Sequence, residues 1–298
     1  MNHDSVIKIS NLTKTFGKVT AVDKINLEVK QGDFFGFVGP NGAGKSTAIN
    51  CLLNFLFPTE GDMTILGLDC IKDSVELKKY IGFVPAEVFY YENMTVKELL
   101  NYSNSFYNGL EVKLIKKYIK MFAIPLDKKM GELSSGNKKK VAIIQSLLHK
   151  PQLLILDEPS NGLDPLMQAN LFNVLEEIRK DGTTIFMSSH VLKEVQNHCN
   201  RVAFIKDGKI IKTGLINSII KKNMKLVKIT TNDINDLKKN LKVKDLENVI
   251  IRGHTISFIY RNTPRQLLKE LAGYDIIDLS IETPDLEDIF MDFYKGGK

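Results

Sequence analysis

Nine consecutive residues combine glycines, a lysine and two hydroxyl groups at the spacing of a phosphate-binding loop. They fit the pattern G-x-x-x-x-G-K-[ST] and are Gly39, Pro40, Asn41, Gly42, Ala43, Gly44, Lys45, Ser46 and Thr47. Glycines let backbone amides curl around a phosphate, and a lysine supplies a cation for the outer phosphates. The Ser46 hydroxyl is a candidate Mg²⁺ ligand, and Thr47 can reach an inner phosphate. These residues predict a site for a nucleoside triphosphate with Mg²⁺.

The residues on either side of this loop predict the strand, loop and helix that the motif requires. Residues 34–38 are apolar and typical of a buried strand, and residues 47–53 are typical of the first turns of a helix. A helix N-terminus adds the positive end of its dipole to an anion site. The alternative is a chance glycine loop, which these flanking elements disfavour.

Two adjacent carboxylates, Asp157 and Glu158, are the second candidate for chemistry. They follow the apolar run 153–156, which predicts a fully buried parallel strand. Ligands gather at the carboxyl ends of such strands, and successive side chains point in opposite directions. We therefore expect Asp157 to help hold Mg²⁺ and Glu158 to polarise an attacking water. The alternative is a salt-bridged strand end.

A histidine and a phenylalanine are further candidates for contact with the nucleotide. His190 follows a predicted buried strand at 183–187 and is predicted to contact the γ-phosphate, although a lone histidine is usually structural. Phe16 precedes the phosphate loop and is a candidate platform for an adenine ring. A plain hydrophobic residue of a hairpin is an equally good interpretation of Phe16.

The stretch between these motifs has a helical pattern. Residues 92–133 include a capping box at Thr95 and Glu98 and a lysine-striped run at 112–122. This insert is a candidate partner-binding module, or its basic face is simply solvated. Residues 133–136 then place small residues and free amides at the N-terminus of a helix and predict a second anion site, which is a weak signal by itself.

Composition restricts the class of protein. The chain has 298 residues, enough for one large domain or two modest ones, and its 43% apolar and 26% charged residues are ordinary for a soluble globular protein. Its net charge of +6 suits an anionic membrane surface or a nucleic acid and is diagnostic of neither. Three scattered cysteines predict a reducing compartment. No signal peptide or apolar run of about 20 residues is apparent, so we expect another chain to supply any membrane span.

In this order, the motifs resemble those of the nucleotide-binding subunit of an ATP-binding cassette (ABC) transporter, from about residue 7 to about residue 218. The resemblance implies that Phe16 stacks on adenine, that residues 39–47 are the Walker A loop, and that residues 153–157 are Walker B. It implies that Lys45, Glu158 and His190 are catalytic, with Glu158 as base and His190 as switch histidine, and that Ser46 and Asp157 hold Mg²⁺. The remaining motif residues it assigns are the signature Ser134, Ser135, Gly136 and Asn137 and the D-loop residue Asp164.

The resemblance also implies a mechanism and partners. Two cassettes of such proteins dimerise head to tail, so that the signature of one covers the γ-phosphate bound by the other. The free energy of closure passes to membrane domains through the helical insert. The expected partners are a transmembrane permease subunit and a second cassette, in a homodimer or heterodimer, with no nucleic acid. The expected location is the cytoplasmic face of the membrane.

Two departures from the family pattern affect these expectations. Ala86 stands where the family usually has glutamine, so we expect Glu87 or a neighbour to substitute, or the segment to act as a mechanical hinge. Ser135 and Asn137 replace the usual glycine and glutamine of the signature. Because Ser134 and Gly136 are kept, we expect phosphate binding to survive.

The predicted fold is an α/β P-loop cassette followed by a small α+β domain. We expect a mixed sheet in residues 1–220, beginning with an edge strand at 6–10, and a helical subdomain at about 87–140. Residues 221–298 predict the order βαββαβ of a ferredoxin-like domain, which is either a dimerisation or regulatory appendage or a ligand sensor. Residues 284–290 resemble the end of cassette subunits of bacterial drug and peptide exporters.

The leading functional hypothesis is therefore an exporter ATPase for drugs or amphipathic, antimicrobial-type peptides. One alternative is a soluble cassette ATPase acting on ribosomes or nucleic acid. Such proteins usually carry two cassettes or a long coiled coil, and neither is seen here. Another alternative is an ATP-binding partner in a heterodimer that does not hydrolyse, which the presence of Ala86 permits and the presence of Glu158 opposes.

Overall fold

The computed structural model describes residues 5–107, 112–220, 224–234, 237, 246–261 and 263–294. The chain divides into two compact units, Met1–Thr213 and Gly214–Lys298. The functional division into an ATPase domain at 1–220 and an accessory domain at 221–298 stays a prediction.

Unit 1 contains a four-stranded antiparallel sheet in the order β2-β1-β4-β5. Its strands are β1 Ser5–Phe16, β2 Val19–Lys30, β4 Glu60–Ile65 and β5 Leu68–Asp69. The prediction of an edge strand at 6–10 is wrong, because β1 pairs with β2 on one side and β4 on the other. Alternation of polar and apolar residues reports one buried face and carries no information about whether the strand's edges are paired.

A six-stranded sheet in the order β10-β9-β3-β8-β7-β6 positions the candidate site. Its strands are β3 Phe34–Val38, β6 Ile81–Val84, β7 Leu153–Asp157, β8 Thr184–Ser189, β9 Arg201–Lys206 and β10 Lys209–Leu215. Strands β6 to β9 and β3 pair in parallel, so their carboxyl ends lie along one edge. Every residue of β3, β7 and β8 is buried, as expected for central parallel strands.

Among the helices of unit 1, those that follow Thr95, Ser134 and Asp164 begin with a side-chain cap that accepts a backbone N–H. The helices of this unit are α1 Lys45–Leu52, α2 Ser74–Leu77, α3 Val96–Asn104, α4 Val112–Met121, α5 Ser135–Leu147, α6 Pro165–Lys180 and α7 Leu192–His198. The capping box of Thr95 and Glu98 at α3 is confirmed. An apolar core joins both sheets to α1 through residues such as Ile7, Phe37 and Ile49.

Unit 2 contains a short helix, α8 Ile216–Ile219, and a second four-stranded sheet in the order β12-β13-β11-β14. The strands are β11 Lys225–Thr231, β12 Leu246–Arg252, β13 Thr255–Tyr260 and β14 Ile276–Glu282, and every neighbouring pair is antiparallel. Helix α9 Pro264–Leu271 buries Leu267 and Leu271 in a core with Val227, Ile229 and Phe258, and α10 Leu286–Tyr294 ends the unit.

Along the chain, the described elements from β11 to β14 follow the order β, β, β, α, β. The first predicted helix of the ferredoxin-like domain lies largely outside the described residues, so the complete βαββαβ arrangement stays a prediction. Among the helices that the structure describes, none is long and apolar enough to cross a membrane.

Candidate nucleotide-binding site

The phosphate loop connects β3 to α1 and leaves no space for a side chain at two of its glycines. Gly44 has φ +103°, and a Cβ built there would lie 2.4 Å from the carbonyl oxygen of Ala21. A Cβ on Gly39 would lie 2.3 Å from the carbonyl oxygen of Ile205. Because neither position has room for a side chain, both glycines are needed for the loop to curl tightly at the amino end of α1.

Lys45 lies inside this loop and contacts Glu158. Its Nζ donates to the carbonyl oxygens of Gly39 at 2.6 Å and Pro40 at 3.1 Å, and lies 3.2 Å from Glu158 Oε1. The side chain is only 6% exposed. The ammonium group is thus held at the mouth of the loop, where an outer phosphate would compete with Glu158 for it.

Asp157 is fixed by the strand beside it. In the parallel register of β7 and β8, Asp157 faces Ser188, whose hydroxyl donates to Asp157 Oδ1 at 2.5 Å. The same hydroxyl accepts from the backbone N–H of Glu158 at 3.0 Å. One buried serine therefore orients both predicted carboxylate residues.

Glu158 turns away from the strand and joins Lys45 to His190. Its φ is +49°, a backbone conformation that residues with a side chain rarely adopt. Such strained residues cluster at functional sites. Its Oε2 lies 2.6 Å from His190 Nδ1 and accepts from Asn161 Nδ2 at 3.4 Å. Because Oε1 contacts Lys45, the three residues predicted as catalytic form one continuous chain of contacts.

Ser46 and Asp157 have the right chemistry for the predicted Mg²⁺ site. Ser46 is exposed on the first turn of α1, which packs against β7, and Asp157 ends β7. Both provide oxygen ligands, which Mg²⁺ prefers, and Mg²⁺ commonly uses one or two protein oxygens together with substrate phosphates and water. The described residues contain no cluster of three or more His, Cys, Asp or Glu side chains that could hold a metal ion.

Phe16 lies at the end of β1 with 47% of its surface exposed. Lys14 Nζ lies 4.8 Å from the ring centroid. One face of the ring thus has a cation nearby, and exposure leaves aromatic surface for a base. Its role as an adenine platform stays a prediction.

The predicted signature and D-loop contact each other at a second location. Ser134 caps α5 by accepting from the backbone N–H of Asn137 at 3.3 Å, with Ser135 exposed next to it. Asp164 caps α6 by accepting from the backbone N–H of Met167 at 3.0 Å.

Gly136 links these two segments, since a Cβ there would lie 2.5 Å from the carbonyl oxygen of Gly162.

Several site residues escape sequence reasoning. The sequence shows Ser188 only as part of a strand end, although a hydroxyl in register with a predicted metal ligand is a usable signal once strand neighbours are known. Glu194 is another, since its carboxylate accepts from Ser160 at 2.9 Å and Ser189 at 3.2 Å, and burial raises its pKa. The buried cation Lys139, on α5, is a third.

Comparison with known proteins identifies the family to which the chain is similar. Residues 22–161 match the family model described as ABC transporter. The bacitracin transport ATP-binding protein of Bacillus licheniformis is 32% identical over 304 aligned residues, covering 98% of each chain. The linearmycin resistance ATP-binding protein of Bacillus subtilis is 28% identical, covering 96% of this chain and 97% of its own.

Solved structures agree. One described as the ATP-binding subunit of an ABC transporter is 25% identical with a TM-score of 0.68, covering 72% of this chain and 92% of its own. A dimeric ATP-binding cassette in a post-hydrolysis state, bound to ADP and Pi, is 27% identical with a TM-score of 0.64, covering 70% of this chain and 98% of its own. With its phosphate loop, paired carboxylate and histidine in this fold, the chain belongs to the ABC transporter family of ATP-binding, ATP-hydrolysing proteins.

Proposed function

We propose that this chain is the ATP-hydrolysing subunit of an ABC exporter that moves drugs or amphipathic peptide antibiotics through a separate transmembrane subunit. The observation that carries the proposal is the contact chain from Lys45 through Glu158 to His190 at the mouth of a phosphate loop. The similarity to bacitracin transport and linearmycin resistance proteins over nearly the whole chain supports the cargo class.

The geometry supports hydrolysis as well as binding. A phosphate that reaches the loop competes for the Lys45 ammonium, which frees Glu158 Oε1 to accept a proton from water. His190 holds the other oxygen of Glu158 and so fixes the direction of the base. The loop amides and Lys45 stabilise charge on the transferred phosphoryl group, which is the main contribution in this reaction class.

Mg²⁺ belongs to the proposal through Ser46 and Asp157. A bound Mg²⁺ would neutralise charge on the outer phosphates. Ser188 keeps the Asp157 carboxylate aimed by its hydrogen bond, so the protein's part is to present an oriented oxygen.

The geometry of the signature supports a dimer of cassettes. Ser134 caps α5, and the backbone amides at the start of a helix suit an anion such as a phosphate held by another cassette. The dimeric form of a solved relative agrees with this arrangement. The second cassette, either another copy or a related chain, would contribute its signature to the Lys45 site.

The proposed permease contact is an aromatic groove on the helical insert. The groove, of about 500 Å³, is lined by Phe89, Tyr91, Leu99, Tyr102 and Phe106, among others. Phe89 is 85% exposed, Tyr91 71% and Phe106 66%, which is unusual for several large rings lining one groove. A permease docked here would place this subunit at the cytoplasmic face of the membrane.

Turnover of ATP by the Glu158→Gln variant tests the enzymatic part. We expect kcat to fall by about 10²- to 10⁴-fold while nucleotide binding survives, because the base is lost and the loop is kept. Glu28→Gln is the matched control, since Glu28 is exposed on β2. Equal rates for Glu158→Gln and the parent would contradict hydrolysis through Glu158 and favour an ATP-binding partner that does not hydrolyse.

Co-purification tests the exporter part. The tagged Glu158→Gln chain, held with ATP and extracted gently from membranes, should bring down a polytopic membrane protein. Alanine at Phe89 and Phe106 should weaken that recovery and leave ATPase activity intact. Ribosomal or nucleic-acid partners without a membrane protein would contradict the exporter proposal.

A further inference from the structure

Lys139 lies in the second turn of α5, where the helical insert meets the parallel sheet and a cation is costly. It is the fifth residue of α5 and only 3% exposed. Its Nζ donates to the carbonyl oxygens of Pro85 and Ala86, both at 2.7 Å. A buried ammonium group is unfavourable unless it is well partnered, and two carbonyl dipoles compensate only in part.

The position of these two carbonyls places Lys139 next to the ATPase site. Strand β6 ends at Val84, which pairs in parallel with Leu156 of β7. Pro85 and Ala86 therefore follow β6 at the same sheet edge at which Asp157 and Glu158 follow Leu156. Burial lowers the pKa of Lys139 to about 8, and the negative charges of Asp157, Glu158 and Glu87, in decreasing order, partly oppose that shift.

The segment after β6 has no polar side chain at residue 86, next to the predicted catalytic carboxylates. Ala86 offers only a methyl group, and Glu87 is exposed. An ammonium group has three N–H donors, of which the carbonyls of Pro85 and Ala86 use two. Lys139 thus has one further N–H donor at this edge of the sheet.

We infer that Lys139 is a positioning residue of the ATPase site, which fastens the Pro85–Ala86 segment to α5 and keeps a positive charge beside Asp157 and Glu158. The inference rests on the proposed function. Because α5 begins at the signature, the lysine also links the signature's helix to the edge where γ-phosphate chemistry occurs. A movement of either is transmitted to the other through two hydrogen bonds.

Steady-state kinetics of Lys139→Met and Lys139→Arg test this role. Methionine keeps the apolar stem and removes the donors, so we expect kcat to fall about 10- to 100-fold with KM for ATP changed less than about threefold. Arginine keeps charge and donors and should restore most of the loss. Lys120→Met is the matched control, because Lys120 is exposed on α4 of the same insert.

Hydrogen exchange supplies a readout that does not depend on activity. Amides of residues 84–91 should exchange faster in Lys139→Met than in the parent and close to the parent rate in Lys139→Arg. The double variant Lys139→Gln/Ala86→Gln should recover kcat relative to Lys139→Gln, since the amide supplied at residue 86 replaces the lost contact.

The outcomes separate the inference from the proposed function. Parent-like kcat and parent-like exchange in Lys139→Met overturn the inference, whatever Glu158→Gln shows. Equal damage by methionine and arginine, with lowered thermal stability in both, also overturns it in favour of packing alone. If Lys139→Met fails to fold, the comparison of Lys139→Gln with Lys139→Gln/Ala86→Gln decides. Recovery of kcat in the double variant supports the inference, and no recovery overturns it. Failure of the proposed function would appear instead as equal turnover by Glu158→Gln and the parent.

Discussion

The carboxyl edge of the large sheet and the face of the C-terminal sheet that carries Lys228 both have charged side chains, but these side chains differ in their burial. At the first, Lys45 and Glu158 come from distant parts of the chain, have side chains 6% and 10% exposed, and contact each other. On the second, Lys228 and Glu282 are 48% and 59% exposed and their charged atoms are 4.0 Å apart. Buried charged groups that contact each other cost folding free energy and indicate a functional site, whereas exposed ion pairs contribute little to stability.

The acidic residues of the two regions also differ in the groups that hold them. Asp157 and Glu158 are held by a serine from another strand. Asp285 and Asp288 instead cap the start of α10 by accepting each other's backbone N–H at 2.8 and 3.0 Å, and burial raises the pKa of Asp288. The second pair has a local structural explanation. The groove beside it, of about 470 Å³, is lined by side chains of both signs of charge.

The largest expected effect is that of Lys45→Met. Losing the ammonium removes a charge-assisted contact to the transferred phosphate, so we expect turnover to fall by about 10²- to 10³-fold and nucleotide affinity to weaken. Phosphate release and binding of a fluorescent nucleotide measure the two effects. Lys120→Met should retain parent values in both assays. Parent-like turnover in Lys45→Met would remove the distinction between the two charged regions.

Ser188→Ala should have the next largest effect. It leaves Asp157 without an orienting donor and the Glu158 N–H without an acceptor, so we expect about 1–3 kcal/mol of lost stability and about a 10- to 100-fold lower kcat. Ser189→Ala is a close control, because that buried hydroxyl serves Glu194 and the Val191 N–H instead. It should lose similar stability in denaturant unfolding and much less kcat. Equal kcat losses in both variants would show that Ser188 acts only through stability.

These contacts show which parts of the site a sequence can predict. Gly39–Thr47 is contiguous, so its chemistry and its strand–helix context are both visible in one stretch of residues. The hydrogen bonds of Ser188 to Asp157 and of Lys139 to Pro85 depend on which strands and helices become neighbours, and no local pattern contains that information. Strand β1 gives the same lesson in the fold, since its alternating pattern is compatible with either a paired or an unpaired edge.

Lys139 predicts a pH dependence with a definite sign. Burial is the main cause that lowers its pKa to about 8 from the ordinary 10.5. Between about pH 8 and 10.5 the unfolded chain binds this proton more fully than the folded chain, so stability rises with pH across that window. The free energy of unfolding of the parent minus that of Lys139→Met should therefore rise by about 1–3 kcal/mol from pH 7.5 to 10.

Denaturant unfolding at both pH values measures this difference, and Lys120→Met gives the baseline for an exposed lysine. A difference that stays flat or falls with pH would show that the burial of Lys139 carries no penalty.

The smallest expected effect is that of Lys228→Ala or Arg252→Ala in the C-terminal sheet. Both side chains are exposed, so stability should stay within about 0.5 kcal/mol of the parent. Turnover should change by less than about twofold, because neither residue belongs to the contact chain around Glu158. A large loss of turnover with unchanged stability would mean that this face, like the residues around Glu158, contributes to ATP turnover.

The contact of Gly136 with Gly162 has a consequence for anyone who builds chimaeras of such subunits. Because a Cβ at residue 136 would come within 2.5 Å of the Gly162 carbonyl oxygen, the two segments fit as one interlocking pair. Transplanting residues 133–137 from a relative without residues 158–164 would mismatch two backbones that were shaped together. The natural unit of exchange is therefore the pair of segments, although they are far apart in the sequence.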